Sequence, residues 1–408
     1  MDIAAPSLSE PATLRRLAAV DALRGLALFG MLVVHVQYYA DGPPIWADRI
    51  QTAIDALFTE RFWALFAFLF GVGFALQIER WEDKPGFVRI YLRRLLILAG
   101  FAIVIAAFTG YRVLLGYAFW GLVLLAMRRW SDRALVVAAV VIALAAPAIS
   151  AVRWQIEKRT IGVEASNQKV ARERGIWRAA NQEETRIKKE GTFPQLMKHR
   201  LRFELGAFVR PTWYIPGPDL LMFVLGLLAV RRGVLRNPAG HRRLLIAVVV
   251  GGLILPQLGD LLPRGWIVVP GEPMRLRAAR IGVLFAILNP MFQGLAYGAA
   301  LLLWTTRARG MPRLCGWLAH AGRMSLTNYV VQICALELLF TGFGLTPINR
   351  PAGLIAALVF FAAQVVYSRW WFRRYRIGPL EWLWRSLTYG AAQPLRIAPA
   401  TTIEAAPT

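Results

Sequence analysis

The chain has 408 residues, 57% of them hydrophobic and only 18% charged, with a formal net charge of +24 and a mean hydropathy of +0.46. A soluble domain carries about 25% charged residues, so the composition excludes an ordinary water-soluble protein built around one large core. It also argues against a nucleic-acid partner, because the Lys and Arg residues sit in short blocks between apolar runs, the arrangement that the positive-inside rule produces in membrane proteins.

The segment 1–20 contains Asp2 and Glu10 and has no basic leader region, and Arg15 and Arg16 precede the first apolar run. This is the pattern of an uncleaved signal anchor, and it places the segment in the cytoplasm. Apolar runs follow at 22–40, 61–78, 91–110, 113–127, 134–151, 214–230, 244–262, 281–304, 314–340 and 353–372. Most are long enough for a hydrocarbon core of about 30 Å. The expected fold is all-α, a polytopic transmembrane helical bundle of about ten spans, with both termini inside.

Orientation rests on counts. With the N-terminus inside, 24 of the 48 Lys and Arg residues fall in cytoplasmic segments and 8 in short external loops. Another 14 lie in the long loop 152–213, which the rule exempts, and Arg24 and Arg323 lie within spans. The expected organisation is an N-terminal bundle over 21–151, an extracytoplasmic loop over 152–213, a C-terminal bundle over 214–395 and a disordered tail over 396–408.

The first span opens Asp21-Ala22-Leu23-Arg24-Gly25-Leu26, and His35 follows. Ionisable residues in a span are costly and default to a functional role. Arg24 and His35 are eleven positions apart, three turns plus roughly 20°, so they share a helix face with an axial separation of about 16 Å. Asp21 lies about 40° to the other side of His35. Two readings stand: a reactive stripe of Asp, Arg and His, or an Arg24 that snorkels and pairs with Asp21 beside a His35 bonded to a neighbouring helix.

The loop 152–213 is highly charged, as in Glu183-Glu184-Thr185-Arg186-Ile187-Lys188-Lys189-Glu190, with few apolar anchors. It reads as a helical, solvated external loop or as a substrate lid. In the ninth span, Ser325, Asn328, Tyr329 and Gln332 fall within roughly 100° of one another on a helix. That polar stripe is either interhelical glue or a wall of a substrate site. Arg323 and Thr327 project from the opposite face, and Arg323 is expected to meet a phosphate, a lipid headgroup or an acidic partner. Cys315 and Cys334 lie on this same expected helix, roughly 28 Å apart, too far to bond to each other. No His and Cys spacing fits zinc, and no metal or bound cofactor is expected.

An Arg followed at eleven residues by a His, on a first helix with an Asp-x-Leu-Arg-Gly opening, resembles the transmembrane acyltransferase superfamily. That resemblance implies His35 as catalytic base, with Arg24 and Asp21 beside it, acyl-CoA from the cytoplasm as donor substrate, and an acceptor on the outer face. A histidine, with an ordinary pKa of about 6.5, suits that work.

Three further runs resemble the YeiB-like family of bacterial inner-membrane proteins over almost the whole chain. They are the second-span run Glu60-Arg61-Phe62-Trp63-Ala64-Leu65-Phe66-Ala67-Phe68-Leu69-Phe70-Gly71-Val72-Gly73-Phe74, the run Gly322-Arg323-Met324-Ser325-Leu326-Thr327-Asn328-Tyr329, and Gly378-Pro379-Leu380-Glu381-Trp382-Leu383-Trp384-Arg385 followed by Leu387-Thr388-Tyr389-Gly390. The likeness implies a multi-pass protein of the bacterial plasma membrane with a C-terminal domain of unknown function; the cytoplasmic Arg pairs are expected to follow from topology and to meet anionic lipid. Family members often carry Asn where this chain has His35, and usually an acid where it has Arg112.

Acyl-CoA-dependent transfer to a surface glycan or lipid is the leading expectation, with Arg323, Ser325, Asn328, Tyr329 and Gln332 as substrate-binding residues. A transporter or efflux-type protein and a non-catalytic membrane partner are the alternatives. Many transporters are built from repeats with matching broken helices, and the two polar stripes here are unlike each other.

Overall fold

Long apolar runs separated by Gly, Pro and charged turns leave the backbone one way to satisfy its own hydrogen bonds away from water, the α-helix. The computed structural model describes residues 11–40, 44–208, 217–261, 274–307, 313–345 and 348–397. Its helices are α1 Pro11–Gln37, α2 Pro44–Leu57, α3 Arg61–Trp81, α4 Phe87–Thr109, α5 Val113–Ala126, α6 Asp132–Ile161, α7 Val163–Glu190, α8 Phe193–Phe208, α9 Pro218–Arg231, α10 Arg242–Leu261, α11 Met274–Arg307, α12 Arg313–Arg323, α13 Ser325–Glu337, α14 Arg350–Trp371 and α15 Pro379–Tyr389. Among the described residues strand pairing is confined to two isolated bridges, Ala40 with Ile348 and Tyr375 with Arg396. The fold is all-α. Of the expected N-terminal segment, residues 1–10 lie outside the described residues and 11–20 begin α1; of the expected tail only 396 and 397 are described.

Among the described residues the expected spans fall mostly on helix, and several are candidates to cross a membrane. Among the described residues, Ala18–Gln37, Arg49–Trp81, Phe87–Thr109 and Arg350–Trp371 are long and apolar enough, with the bent pair α12–α13 as a fifth. α5 and α9 are apolar but have 14 residues each, about 21 Å of helix, which is short of the hydrocarbon core. The bundle surface carries the membrane argument further. Val137, Val140, Val141 and Leu144 on α6, and Ile355, Leu358, Val359 and Val366 on α14, are all exposed. They recur at helical spacing as continuous apolar faces, which a soluble monomer rarely leaves bare.

α1 is central and packs against α3, α12, α13 and α14. Small residues set the distances. A Cβ at Gly25 would overlap the Leu318 carbonyl oxygen, and one at Gly322 the Asp21 carbonyl oxygen, so α1 and α12 meet backbone to backbone. α3 and α9 meet in the same way through Gly71 against Phe223 and Gly226 against Phe68. This is how small residues drive helix association where lipid removes the hydrophobic drive.

The expected ninth span is not one helix. α12 and α13 are bent by 77° at a break of one residue, Met324, which has φ −116° and ψ 49°. α12 has one strongly apolar and one polar face, and packs across α1. The straight-helix estimate of the Cys315 to Cys334 separation therefore does not apply; both cysteines are free thiols.

Candidate functional site

α1 carries polar groups at two levels. Toward its start, Arg24 Nη1 donates to Asp21 Oδ1 at 2.9 Å, with the side chains 28% and 17% exposed. The pair lies where α12 crosses, and the Arg24 guanidinium also reaches α3, 3.5 Å from the place a Cβ on Gly73 would occupy. Nearby, Arg94 stacks on the Trp384 ring at 3.8 Å, and the Trp384 indole donates to the Arg94 carbonyl. Arg323 sits nearer the surface than a straight ninth span would place it. It ends α12, is exposed, covers the Phe372 ring at 3.9 Å and reaches only the Arg376 carbonyl, at 3.4 Å. The break at Met324 carries it out to the surface, with Asp21 close enough to act on its charge.

At the other end of α1, His35 stands among tyrosines. Its ring centroid is 4.7 Å from Tyr111, 6.2 Å from Tyr329 and 6.4 Å from Tyr38. The residue is half-buried, and its Nδ1 is fully buried with no hydrogen-bond partner among the described residues. A buried, unsatisfied ring nitrogen is uncommon. His35 and Arg24 share a helix, with about 16 Å of helix between them.

The polar stripe of α13 divides. Asn328 Nδ2 donates to the Ala321 carbonyl at 2.9 Å and to Ser368 Oγ at 3.1 Å. Gln332 Nε2 donates to Gln364 Oε1 at 2.7 Å, and Gln364 Nε2 donates to the Asn328 carbonyl at 3.0 Å. Both residues are buried and join α13 to α14 as interhelical glue. Tyr329, also buried, turns the other way, toward His35 and Phe66. Ser325 is half-buried at the start of α13. The structure thus brings Tyr329 to His35, and leaves Arg323, Ser325, Asn328 and Gln332 elsewhere.

The charged segment is more than a solvated loop. From α8, Arg200, with a side chain 2% exposed, donates through Nη2 to Glu337 Oε1 at 2.9 Å and to Glu184 Oε1 at 2.9 Å, and through Nη1 to the Phe108 carbonyl. Tyr39 Oη donates to Glu337 Oε2 at 2.8 Å. Burial pushes the Glu184 carboxyl up, but Lys188 and Arg200 outweigh it and hold the group below the ordinary glutamate value. Glu337 has a sequence signal of its own, an acid within the apolar run 314–340. Arg200 has none, because it lies in a strongly charged segment.

Asp219 opens α9, and its Oδ1 is buried with no partner among the described residues. It faces α5 at Gly116, beside Tyr117. Phe66 links Tyr117 to Tyr329, with ring centroids 6.2 and 6.4 Å away, so an aromatic wall runs from His35 toward Asp219. Among the described residues, no three His, Cys, Asp or Glu side chains are placed to hold a metal.

Comparison with known proteins matches this chain in two parts. Residues 229–391 match a family described as protein of unknown function (DUF418), and residues 16–156 match one described as heparan-alpha-glucosaminide N-acetyltransferase, catalytic. The uncharacterized protein YxaH of Bacillus subtilis (strain 168) is 27% identical over 424 residues, covering 95% of this chain and 98% of that protein. An uncharacterized 39.9 kDa protein in the amylase 3′ region of Bacillus acidopullulyticus is 24% identical over 401 residues, covering 93% and 96%. The uncharacterized protein YeiB of Escherichia coli (strain K12) is 36% identical over 109 residues, 26% of this chain and 28% of that protein. No solved structure matches. These matches bear out the resemblance to YeiB-like proteins, and the first five spans are also similar to a membrane acetyltransferase.

Proposed function

We propose that this protein is a multi-pass acyltransferase of the bacterial plasma membrane, with about ten spans and both termini in the cytoplasm, that moves an acyl group from acyl-CoA to a hydroxyl or amine at the outer face. The observation that carries the reading is the buried, unbonded Nδ1 of His35 in its tyrosine cluster, in the part of the chain similar to the acetyltransferase catalytic model. A general base must reach the proton it removes, and this nitrogen is not occupied by the protein. His35 takes the proton of the acceptor, whose oxygen or nitrogen attacks the thioester carbonyl carbon. The carbon–sulfur bond breaks, and the CoA thiolate leaves with the proton that His35 returns.

Donor binding falls at the Asp21 end, which this topology places in the cytoplasm. Arg323 spends few of its donors within the protein and suits the phosphates of CoA. The extended pantetheine arm is the part of the donor able to cross from there to His35. Arg24 and Asp21 keep the first helix in register against α12. Tyr329 lines the acceptor side, where a hydroxyl or amine hydrogen would also satisfy Asp219 Oδ1. Asn328, Gln332 and Ser325 act on substrate only through the helices they hold.

A transporter is the second reading, favoured by the broken helix α12–α13, since transporters aim half-helix N-termini at substrate. Here the N-terminus of α13 is filled by Glu381, which accepts from Leu326 N at 2.7 Å and Thr327 N at 3.2 Å. That favours the enzyme. The deciding assay is acyl-CoA-dependent release of CoA by the purified protein in nanodiscs, paired with mass spectrometry of lipid extracts and surface glycans from a deletion strain. Acyl groups lost from one acceptor class on deletion support the reading; unchanged lipids and glycans with no CoA release overturn it.

A further inference from the structure

Arg200 is joined, directly or through Glu337, to three segments that carry the rings around His35. Tyr39, four residues after His35 on the chain, bonds to Glu337, which bonds to Arg200. The Arg200 guanidinium also bonds to the Phe108 carbonyl and lies against Gly110, where an added Cβ would stand 3.4 Å from Nε. Tyr111, the nearest ring to His35, follows directly. Glu337 itself is on α13, eight residues beyond Tyr329, about 12 Å of helix. One guanidinium thus ties the end of α1, the turn from α4 to α5 and the end of α13 to α8.

Anchoring α8 does not require this. Leu196 is buried, and the Phe193 ring meets Phe108 with centroids 5.0 Å apart. Burying Arg200 and Glu337, with side chains 2% and 1% exposed, carries a desolvation cost that apolar packing would avoid, and such networks are retained in some proteins because they fix one geometry.

We propose that Arg200 is a positioning residue of the His35 site, acting through Glu337 and the Phe108–Gly110 backbone, so that the charged helices α7 and α8 form part of the site. Its bearing on catalysis rests on the reading of His35 as the base; its effect on the geometry around His35 does not. The test reads His35 directly. Full-length protein in nanodiscs is treated with diethyl pyrocarbonate, and modification of His35 and of His241, remote in the α9–α10 connection, is followed by peptide mass spectrometry. Arg200→Gln and Glu337→Gln should raise the rate at His35 by about tenfold, roughly a third of what breaking a buried ion pair costs, and leave His241 unchanged. Arg200→Lys keeps a charge without the fork and should fall between wild type and Arg200→Gln. Folded Arg200→Gln protein with wild-type labelling at His35 overturns the proposal. Should that variant not fold, wild-type labelling in Glu337→Gln and Arg200→Lys overturns it equally. CoA release, measured on the same samples, reports separately on the catalytic reading.

Discussion

Thr327 donates its hydroxyl hydrogen to Glu381 Oε2 at 2.6 Å and accepts from the Leu380 N–H at 3.0 Å, which locks together two sequence motifs 54 positions apart. Oε1 of the same carboxylate caps α13 through Leu326 and Thr327. An anion at a helix N-terminus satisfies free N–H groups and meets the positive end of the helix dipole. Removing it leaves those donors in a largely buried place. Glu381→Ala should therefore cost about 1–3 kcal/mol, and Thr327→Val somewhat less, read as lowered melting temperatures of the solubilised protein. Melting at the wild-type temperature in both variants would refute the cap.

The Gln332 and Gln364 pair makes a smaller claim. Interhelical hydrogen bonds in membrane proteins average about 0.6 kcal/mol by double-mutant cycle. Gln332→Leu, Gln364→Leu and the double variant should give a coupling of that order, with little change in any activity. A variant that loses transfer activity while keeping its melting temperature would return Gln332 to the substrate site.

Much of the fold is legible in sequence because lipid imposes a simple rule: an apolar run of sufficient length must be helix. That is why the expected spans fall mostly on helix among the described residues. The break at Met324 is not legible, since no Pro stands in the run from Leu314 to Phe340 and the carboxylate that caps the new N-terminus, Glu381, is remote in sequence. The stripe spacing correctly placed Asn328, Tyr329 and Gln332 in the interior, but periodicity cannot say which neighbour each one meets. Arg200 was hidden for the opposite reason, as one buried cation among many exposed ones.

Acidification should loosen helices α7 and α8. The folded carboxyl of Glu184 lies below its ordinary value of 4.5 because Lys188 and Arg200 outweigh the effect of burial. For an acid with a lowered folded pKa, the stabilisation is complete above the ordinary value and is lost as pH falls through the folded one. Protease cleavage within α7 should therefore stay slow at neutral pH and accelerate as pH drops below about 4.5. In Glu184→Gln the cleavage rate should be raised at neutral pH and change less on acidification. Identical pH profiles in the two proteins would remove Glu184 from the attachment.

Topology has its own check. In a Cys315→Ser, Cys334→Ser background, single cysteines at Ser166 and Thr401 are exposed to an impermeant maleimide in intact cells. Ser166→Cys should label and Thr401→Cys should label only after lysis. Labelling of Thr401→Cys alone in intact cells would invert the orientation, and with it the assignment of donor and acceptor ends.

The remaining prediction concerns His35. Suppose that its ring takes the acceptor proton. Loss of a general base lowers rates by about 10²–10⁴, so His35→Ala should insert and melt normally yet lose acyl transfer by that factor. The substitution that discriminates is His35→Asn. Asparagine keeps hydrogen-bonding capacity and approximate size, and it is the residue that the resemblance to YeiB-like proteins leads one to expect. It cannot serve as a base near neutral pH. Were His35 only a hydrogen-bonding residue worth about 1 kcal/mol, Asn would replace it with little effect. The structure sharpens this contrast, because Nδ1 has no bond within the protein to lose, so a fall in activity cannot be assigned to a broken interhelical contact at that atom. Loss of transfer in His35→Asn with an unchanged melting temperature supports the base. Full complementation of a deletion strain by His35→Asn would refute it and leave the tyrosine cluster to a transporter or a non-catalytic partner.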